Sequence, residues 1–334
     1  MKLANVTLKT KIRHRNEINH TFSVLPLPAR RILFMAIAQI DSKRLIEQGQ
    51  VFRITANEYA MIANIDISVA YKQMKDGANE LQHSVISIPK SQLLEPLYRP
   101  GQFYKPIKTK KNASDSIRSM NLTEFCDYVE SEGYIDISFT RVIEPYICRL
   151  ADGFTTQVLL SAARLTETNA SSLYQLIRKN ISSGKVSYFD IGVDELKDEL
   201  NLYRIEGEEK IYLHAQFKDF NRDFLKKNVD TINRVTEIKD LSFEIVERVA
   251  RKATRLRFTY SVERDLESEE DNFLQEGGAG VGSRMRDINE ISEHGDEIPY
   301  GFKGSTKEKP EPQKPNSEIP QGFRGGSKKK QNFE

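Results

Sequence analysis

"HAQFKDFNRDFLKKNVDTINR", residues 214–234, carries apolar side chains at intervals of three and four residues. On a helical wheel they fill one broad arc, which predicts an amphipathic helix with one buried face. The arc consists of Phe217, Phe220, Phe224, Leu225, Val229, Ile232 and Val235. Because Asn221 and Asn228 fall within this arc, each is expected to find a hydrogen-bond partner or to lie at its border.

The polar face of the same segment divides into two groups of charges. Asp223 and Lys227 are four residues apart, and so are Asp230 and Arg234, a spacing that favours ion pairs on a helix. Pairing of this kind leaves a separate stripe of cations without an internal partner: Lys218, Arg222 and Lys226. That stripe is either ordinary solvated surface or a row of cations that binds phosphates.

The neighbouring segments give this helix a structural context. Before it come an apolar helix, "SSLYQLIRKNI" (171–181), a strand, "YFDIGV" (188–193), and a short helix, "VDELKDELN" (193–201). After it, "LSFEIVERV" and "TRLRFTYSV" alternate apolar and polar residues around "ARKA", which predicts a hairpin. This order of elements is that of a winged helix-turn-helix.

An earlier part of the chain repeats the same order. Pro28 begins the helix "PARRILFMAIAQID", and the strand "VFRIT" leads to Thr55 and Glu58, which are spaced as a capping box. The helix "SVAYKQMKDGANELQ" and the strands "SVISIPK" and "GYIDISFT" follow. We therefore predict an α+β fold with two tandem winged helices, residues 1–150 and 151–262, joined near residues 149–156.

Residues 263–334 differ from the rest of the chain in composition. They hold 11 Lys and Arg against 16 Asp and Glu, and the totals of 50 and 48 leave 39 against 32 for residues 1–262. The segment is acidic, then rich in Gly, Pro and Ser, which predicts disorder because too little apolar surface is present to bury. It contains a repeated octet, "EIPYGFKG" (297–304) and "EIPQGFRG" (318–325), which is either a duplicated linker or a docking motif.

The residue patterns of most enzymes are absent from this sequence. There is no phosphate-binding G-x-x-x-x-G-K-[ST] loop and no His-x-His or HExxH pattern, so neither catalytic residues nor cofactors nor metals are predicted. Cys126 and Cys148 have no metal or redox spacing and suit a reducing compartment. No apolar run is long enough to span a membrane, and no signal peptide is evident. We expect a cytoplasmic protein that is not an enzyme.

The basic residues of the two modules are instead candidates for contacts with double-stranded DNA. In a winged helix the second helix of the motif enters the major groove, and Arg222 is expected to reach a base edge or a phosphate there. The candidate set of the second module is Lys218, Asn221, Arg222, Lys226 and Lys227 on the helix, with Arg251, Lys252 and Arg255 on the wing. The weaker set of the first module is Ser68, Tyr71, Lys72 and Lys75. The basic arm 9–15 either lies along the DNA backbone or is disordered.

Several long stretches resemble the iteron-binding family of plasmid replication initiators. They include residues 9–43 as a whole and the segments "AYKQMKDG", "GYIDISFTRVIEPYI", "SSLYQLIRKN", "VDELKDEL" and "RKATRLRFTY". The similarity runs in the same order over residues 9–262 and does not extend to the tail. The wing departs from the usual pattern, since Ala253 stands where Gly is common.

The resemblance implies a function that the residue patterns do not specify. Members of this family bind origin direct repeats, the iterons, as monomers and an inverted repeat at their own promoter as dimers. They help to open the origin and recruit the host initiator and the replicative helicase. For this chain the resemblance implies a dimer surface in the first module, near Met35, Phe52, Ile54, Ile86 and Ile88.

Two other functions were considered for this sequence. A transcriptional repressor with tandem winged helices would bind one palindrome and would have no role at direct repeats. A rolling-circle nicking enzyme would need a His-x-His metal site near a tyrosine, which the sequence lacks. Footprinting of the DNA upstream of its own gene distinguishes an initiator from a repressor.

Overall fold

The computed structural model describes residues 3–95, 105–106, 116–150, 152–207 and 209–262. The predicted disordered tail, 263–334, with its repeated octet, lies outside these residues. Short 3-10 turns occur at Leu3–Asn5, Asn16–Ile18 and Lys90–Gln92. The described elements up to residue 147 are, in chain order, β1 (Lys11–Arg15), α1 (Asn19–Val24), α2 (Leu27–Ile37), β2 (Phe52–Thr55), α3 (Ala56–Ala63), α4 (Ile67–Gln82), β3 (Val85–Pro89), β4 (Leu94–Glu95), β5 (Lys105–Pro106), β6 (Ile117–Asn121), β7 (Thr123–Val129), β8 (Tyr134–Phe139) and α5 (Glu144–Ile147).

The second half of the described chain also consists of helices and antiparallel strands. Its elements are β9 (Phe154–Val158), α6 (Leu159–Arg164), α7 (Thr168–Ser182), β10 (Tyr188–Gly192), α8 (Val193–Glu199), β11 (Tyr203–Glu206), β12 (Glu209–Tyr212), α9 (Phe217–Asp219), a π-helical segment (Phe220–Lys226), α10 (Lys227–Val235), β13 (Ile238–Val249) and β14 (Lys252–Val262). All described residues fall within one compact unit, residues 1–285.

The two halves contain three-stranded sheets with the same strand arrangement. In the first, the strand before the helix pair joins the last strand of the wing, in the order β2-β8-β7. In the second the order is β10-β14-β13, which is the same arrangement. All of these pairings are antiparallel. Two winged helices in tandem, as predicted from the sequence, are therefore confirmed.

Local sequence explains the helix pair of the first module. Thr55 Oγ1 accepts a hydrogen bond from the Glu58 amide at 3.3 Å, and the Glu58 carboxylate accepts from the Thr55 amide at 2.9 Å. This is the predicted capping box. Asn64 ends α3 in the left-handed conformation, and Asp66 caps α4 through the Ser68 amide. One face of α4 is buried at Ala70, Met74, Gly77, Ala78 and Leu81.

The segment 214–234 departs from the predicted regular helix in two ways. The helix begins at Phe217, and residues Phe220–Lys226 have π-helical hydrogen bonds. Such bonds join residues i and i+5, so a wheel drawn for an α-helix misplaces the side chains around this segment. The apolar arc is nevertheless correct at its centre, since Phe220, Phe224 and Ile232 are fully buried. We call the continuous stretch Phe217–Val235 the recognition helix.

A hairpin that the sequence reading missed separates α8 from the recognition helix. β11 and β12 pair antiparallel, with Tyr203 opposite Tyr212 and Glu206 opposite Glu209. Gly207, with a φ of 64°, provides the left-handed residue of the turn. The alternating segment "YRIEGEEKIY" around this glycine was the available signal. The two helices of the second module's helix-turn-helix are thus joined by a hairpin.

The N-terminal basic arm is ordered, which excludes the predicted alternative of a disordered arm. β1 pairs antiparallel with β9, with Lys11 opposite Val158 and Arg15 opposite Phe154. Alternate side chains of β1, Ile12 and His14, are fully buried. β1 is therefore tied to the segment that joins the two modules.

Two buried arginines of α2 bind the helices that follow β9. Arg30 donates to Ser172 Oγ at 3.2 Å and to the Ser23 carbonyl at 2.8 Å, and burial lowers its pKa to about 10. Arg31 donates to the Ala163 carbonyl at 2.7 Å. Because a buried guanidinium requires hydrogen-bond acceptors, these contacts fix α2 against the chain before and within α7.

Candidate nucleic-acid interface

The recognition helix exposes most of the cations that the sequence singled out. Its apolar arc packs on the core of the second module, so the opposite side faces solvent. Lys218 and Lys226 are exposed and form no ion pair within the described part of the chain. These two lysines remain available for phosphates, which a protein neutralises with Lys and Arg.

Arg222 has internal partners, and the prediction that it has none is wrong. Its Nε donates to Asp223 Oδ1 at 2.6 Å and its Nη2 donates to Asp223 Oδ2 at 2.7 Å. Asp219 Oδ1 lies 3.2 Å from the same Nη2. The two carboxylates raise the pKa of Arg222, and the arginine holds the pKa of Asp223 below its usual value. The side chain is still 64% exposed, so it remains accessible to a ligand.

The other predicted pairs of this helix are also wrong. Lys227 Nζ lies 3.1 Å from Glu167 Oε2, at the start of α7, and not beside Asp223. Asp230 and Arg234 form no ion pair in the part of the chain that the structure describes. Wheel-based pairing failed because the π-helical segment rotates later side chains and because Glu167 approaches from a distant part of the sequence.

The asparagines of the recognition helix have different environments. Asn228 is buried and donates to the Phe224 carbonyl at 2.7 Å, while Asn221 is half-buried. The Oδ1 atoms of both are buried and have no hydrogen-bond partner among the described residues. Asn233 accepts a hydrogen bond from the amide of Leu241 at 2.8 Å and donates one to its carbonyl at 2.9 Å. This contact joins the end of the helix to the first strand of the wing.

A buried lysine that was not predicted from the sequence positions the start of the recognition helix. Lys197 of α8 is buried and donates to the His214 carbonyl at 2.9 Å. Its ammonium also lies 5.2 Å from the centre of the Phe220 ring. Burial lowers the pKa of this lysine. The signal that could have found it is its place on the apolar side of "VDELKDEL", beside Val193 and Leu196.

The wing of the second module presents its cations on a tight turn. Val249 pairs with Lys252, so the turn consists of Ala250 and Arg251 alone, and not of the predicted four residues. Arg251 and Lys252 are exposed and form no ion pair within the described residues. Arg255 lies 3.3 Å from Glu247 Oε2, across the hairpin. The wing tip is therefore the basic part of the hairpin that is free to contact DNA.

The helix of the first module exposes all four predicted residues. Ser68 donates its hydroxyl to Asp66 Oδ1 at 2.6 Å, and Lys75 Nζ lies 3.4 Å from Glu130. Lys72 is exposed without an ion pair in the described chain. Tyr71 is 43% exposed, yet a Cβ placed on Gly133 would lie 2.7 Å from its Cε1 atom. The tyrosine ring therefore packs directly on the wing turn of its own module.

The wings of the two modules differ in charge. The turn between β7 and β8 carries Glu130 and Glu132, where the turn between β13 and β14 carries Arg251. An acidic turn repels phosphates, whereas a basic one attracts them. The geometry is thus able to clamp DNA between helix and wing in the second module, and presents a helix without a basic wing in the first.

The five residues assigned to a dimer surface lie inside the fold. Met35, Phe52, Ile54, Ile86 and Ile88 are at most 2% exposed. Their side chains form the core of the first module, so they are not available as an exposed contact surface in this structure. The same strands expose other apolar side chains, Val51 beside β2 and Val85 on β3.

The described residues were also searched for a metal site and for a membrane-spanning helix. Nowhere among them do three or more His, Cys, Asp or Glu side chains gather as a metal site would require. None of the described helices combines the length and the apolarity needed to cross a bilayer.

Comparison with known families decides the identity of the chain. Residues 11–178 match the family model described as "Initiator Replication protein, WH1", and residues 193–260 match "Initiator Rep protein, WH2". The chain belongs to the initiator replication protein family. This family consists of DNA-binding replication initiators and is not an enzyme family, which confirms that prediction. The WH1 family model ends at residue 178, which is beyond the join near residues 149–156 that the sequence suggested.

Individual proteins and solved structures that are similar to this chain were also found. The PI protein of Escherichia coli is 42% identical over 268 residues, which cover 79% of this chain and 86% of the relative. An uncharacterized 27.6 kDa protein of Escherichia coli is 25% identical over 185 residues, 53% of this chain and 69% of the relative. Among solved structures, a Pi initiator protein in complex with iteron DNA has 40% identity and a TM-score of 0.67. That match covers 78% of this chain and all of the solved chain. The resemblance noted in the sequence is confirmed.

Proposed function

We propose that this chain is a plasmid replication initiator that binds the direct repeats, or iterons, of double-stranded origin DNA in a sequence-specific manner. The observation that carries the proposal is the likeness to the Pi initiator protein solved with iteron DNA, at 40% identity over that whole chain. The exposed cations of the second module support it independently. Its site of action is the bacterial cytoplasm, where plasmid DNA is found.

In the second module the recognition helix enters the major groove and the wing contacts the backbone. Lys218 and Lys226 neutralise phosphates on either side of Arg222, which reads a base edge. Asn221 and Lys227 lie on the same helix segment and supply further polar contacts. Arg251, Lys252 and Arg255 of the wing hold the adjacent backbone, as contacts to phosphates fix the register of a protein on the duplex.

In the first module α4 binds a neighbouring stretch of the same repeat. Tyr71 and Lys72 are its accessible side chains, and Ser68 and Lys75 extend the surface along the helix. Two helices that each enter a major groove require a site of roughly two helical turns, or about 20 base pairs. A long iteron is therefore expected.

The further steps of initiation complete the proposal. The bound initiator promotes opening of the origin and recruits the host initiator and the replicative helicase. A dimer represses transcription from its own promoter by binding an inverted repeat. For self-association we propose the exposed apolar residues of the first module, such as Val51 and Val85, in place of the buried residues of the same strands.

Footprinting of the full-length chain on the DNA upstream of its own gene tests the proposal. We expect protection of several direct repeats and, at higher protein concentration, of an inverted repeat. Protection of a single palindrome and no direct repeat would support the alternative of a transcriptional repressor. Uniform protection without sequence preference would reject both functions.

Binding at several salt concentrations tests the assigned residues. Each of Lys218→Ala and Lys226→Ala should reduce the slope of log affinity against log salt by about 1, since each removes one phosphate contact. Lys90→Ala provides a control, because Lys90 is also an exposed lysine but lies in the turn after β3. Equal slopes for all three variants and the unmodified chain would show that the two helix lysines do not bind phosphates.

A further inference from the structure

Two carboxylates stand beside the one arginine of the proposed base-reading surface. Asp219 and Asp223 both approach Arg222 on the exposed side of the recognition helix, at 3.2 Å and 2.6 Å. Carboxylates on a surface that approaches DNA weaken binding, because they repel the phosphates. A surface that served only to bind phosphates would do so better without them. Their presence calls for a function that depends on the arginine itself.

The contact with Asp223 uses one particular edge of the guanidinium group. Nε and Nη2 each donate to a different carboxylate oxygen, at 2.6 and 2.7 Å, so the two planar groups meet side by side. A guanidinium has five N–H donors in a fixed fork. Engagement of the Nε edge leaves the opposite edge, formed by Nη1 and the outer hydrogen of Nη2, without a hydrogen bond among the described residues, although Asp219 Oδ1 lies 3.2 Å from Nη2. Two parallel donors of this kind match the O6 and N7 acceptors of guanine.

The backbone around the pair has an unusual conformation. Arg222 and Asp223 lie within the π-helical segment Phe220–Lys226, and such segments are frequent at functional sites. The two residues are neighbours in the sequence, and on a regular α-helix such neighbours do not face each other. The wider turn thus accompanies a side-chain pair that regular geometry does not favour.

We propose that Asp223 is a positioning residue that holds the guanidinium of Arg222 with its free edge toward a guanine of the iteron. The contact between Asp223 and Arg222 exists before DNA binds. The arginine therefore loses less side-chain freedom on binding, and its guanidinium meets the DNA in one orientation. Specificity for one base pair then depends on a residue that does not touch DNA. The inference rests on the proposed function, since it requires that this helix reads base edges.

Selection from a library of random double-stranded DNA, with the full-length chain and its variants, tests the inference. The unmodified chain should enrich one motif, and Arg222→Ala should lose preference at one guanine of that motif, by about tenfold to a hundredfold. Asp223→Asn, which keeps the shape of the side chain but removes its charge, should lose at least about threefold at the same guanine. Its binding to DNA without the motif should be equal or tighter, because a repelling charge has gone.

Asp219→Asn is the matched control, because it removes the same charge from the same face of the helix. We expect it to tighten binding to all DNA and to keep the guanine preference. Arg222→Lys, which retains the charge but not the planar fork, should lose the guanine preference. Measurement of the thermal unfolding midpoint of every variant establishes that it is folded.

The outcomes separate this inference from the proposed function. If Asp223→Asn keeps the full guanine preference, or if Asp219→Asn loses as much, Asp223 does not position the arginine. If Arg222→Ala enriches the same motif as the unmodified chain, Arg222 reads no base and the inference is wrong while specific binding stands. If the unmodified chain enriches no motif, the proposed function fails, and the inference fails with it.

Discussion

Arg178 of α7 and Glu237, just before β13, form an ion pair in the interior, with Nη1 3.3 Å from Oε1. Their side chains are 5% and 1% exposed. Tyr174 donates its hydroxyl to the same Glu237 oxygen at 2.9 Å, and Arg178 Nε donates to the Thr156 carbonyl at 2.7 Å. One network thus ties together β9, α7 and the base of the second module's wing.

Loss of the carboxylate from this network should destabilise the fold strongly. Glu237→Ala leaves a buried guanidinium without its counter-charge, for which we expect a loss of about 3–5 kcal/mol in the free energy of unfolding. Urea denaturation followed by circular dichroism measures the loss. Glu47→Ala, at an exposed position, serves as the control and should change stability by less than about 0.5 kcal/mol. A comparable loss in the two variants would show that the network does not stabilise the fold more than an exposed side chain does.

His14 should make stability depend on pH. Its ring is completely buried against Phe22, at a centroid distance of 4.6 Å, and its Nε2 lies 2.9 Å from Gln157 Nε2. Burial lowers its pKa from 6.5 to about 4. The unfolded chain therefore binds a proton between these values while the folded chain does not. Its contribution is complete above pH 6.5 and is lost as the pH falls toward 4, by up to about 3 kcal/mol.

Comparison with His14→Gln isolates this effect from the other titrating groups. The variant keeps a polar side chain beside Gln157 and has no proton to gain in this range. We expect the difference in unfolding free energy between the two proteins to shrink as the pH is lowered from 6.5 to 4. Denaturation curves at several pH values measure it, and a constant difference across this range would contradict the assignment.

The wing turn should become more stable with a residue suited to its backbone. Ala250 and Arg251 have φ angles of 46° and 68°, in the left-handed region that Ala and Arg rarely adopt. Two-residue hairpin turns with both φ values positive favour Asn at the first position. Ala250→Asn should raise the free energy of unfolding by about 0.5–1 kcal/mol, and the β-branched Ala250→Val should lower it by about 1–2 kcal/mol. Thermal unfolding measures the stability of both variants relative to the unmodified chain. A less stable Ala250→Asn variant and a more stable Ala250→Val variant would contradict this backbone conformation.

Glu130 should limit the DNA affinity of the first module. Its carboxylate lies 3.4 Å from Lys75 Nζ and neutralises one of the candidate cations of α4. Glu130→Gln should tighten DNA binding and steepen the salt dependence by about 1, because Lys75 becomes available to a phosphate. Glu132→Gln removes a charge from the same turn without that contact and should tighten binding without the same steepening. Fluorescence anisotropy at several salt concentrations separates the two, and an equal change in both slopes would mean that the ion pair has no effect.

Local sequence was sufficient wherever a short-range interaction determines the structure. The capping box of Thr55 and Glu58, the alternation of the second wing and the repeated order of elements all depend on neighbours within a few residues. The same is true of the exposed lysines Lys218 and Lys226, since an apolar arc defines its opposite face. These features were predictable because propensity, capping and periodicity act over one or two turns.

The errors arose where distant residues or an irregular backbone determine the result. No periodicity indicates that Glu167 pairs with Lys227, or that β1 pairs with β9 across more than a hundred residues of chain. The dimer residues were assigned by likeness to a family, and their burial depends on how both sheets pack. The acidic turn at Glu130 acquires its significance only when the fold places it beside Lys75.

Residues 214–234 show most clearly which features depend on local sequence and which depend on tertiary structure. The sequence by itself determined that this segment is a helix with a buried aromatic face and an exposed row of cations. Tertiary structure decided which of those cations are free, because the π-helical segment rotates the polar face and brings Asp223 against Arg222. Hydrogen bonding along the backbone at Phe220–Lys226 is a collective property of the packed helix, which a pattern of side chains does not encode.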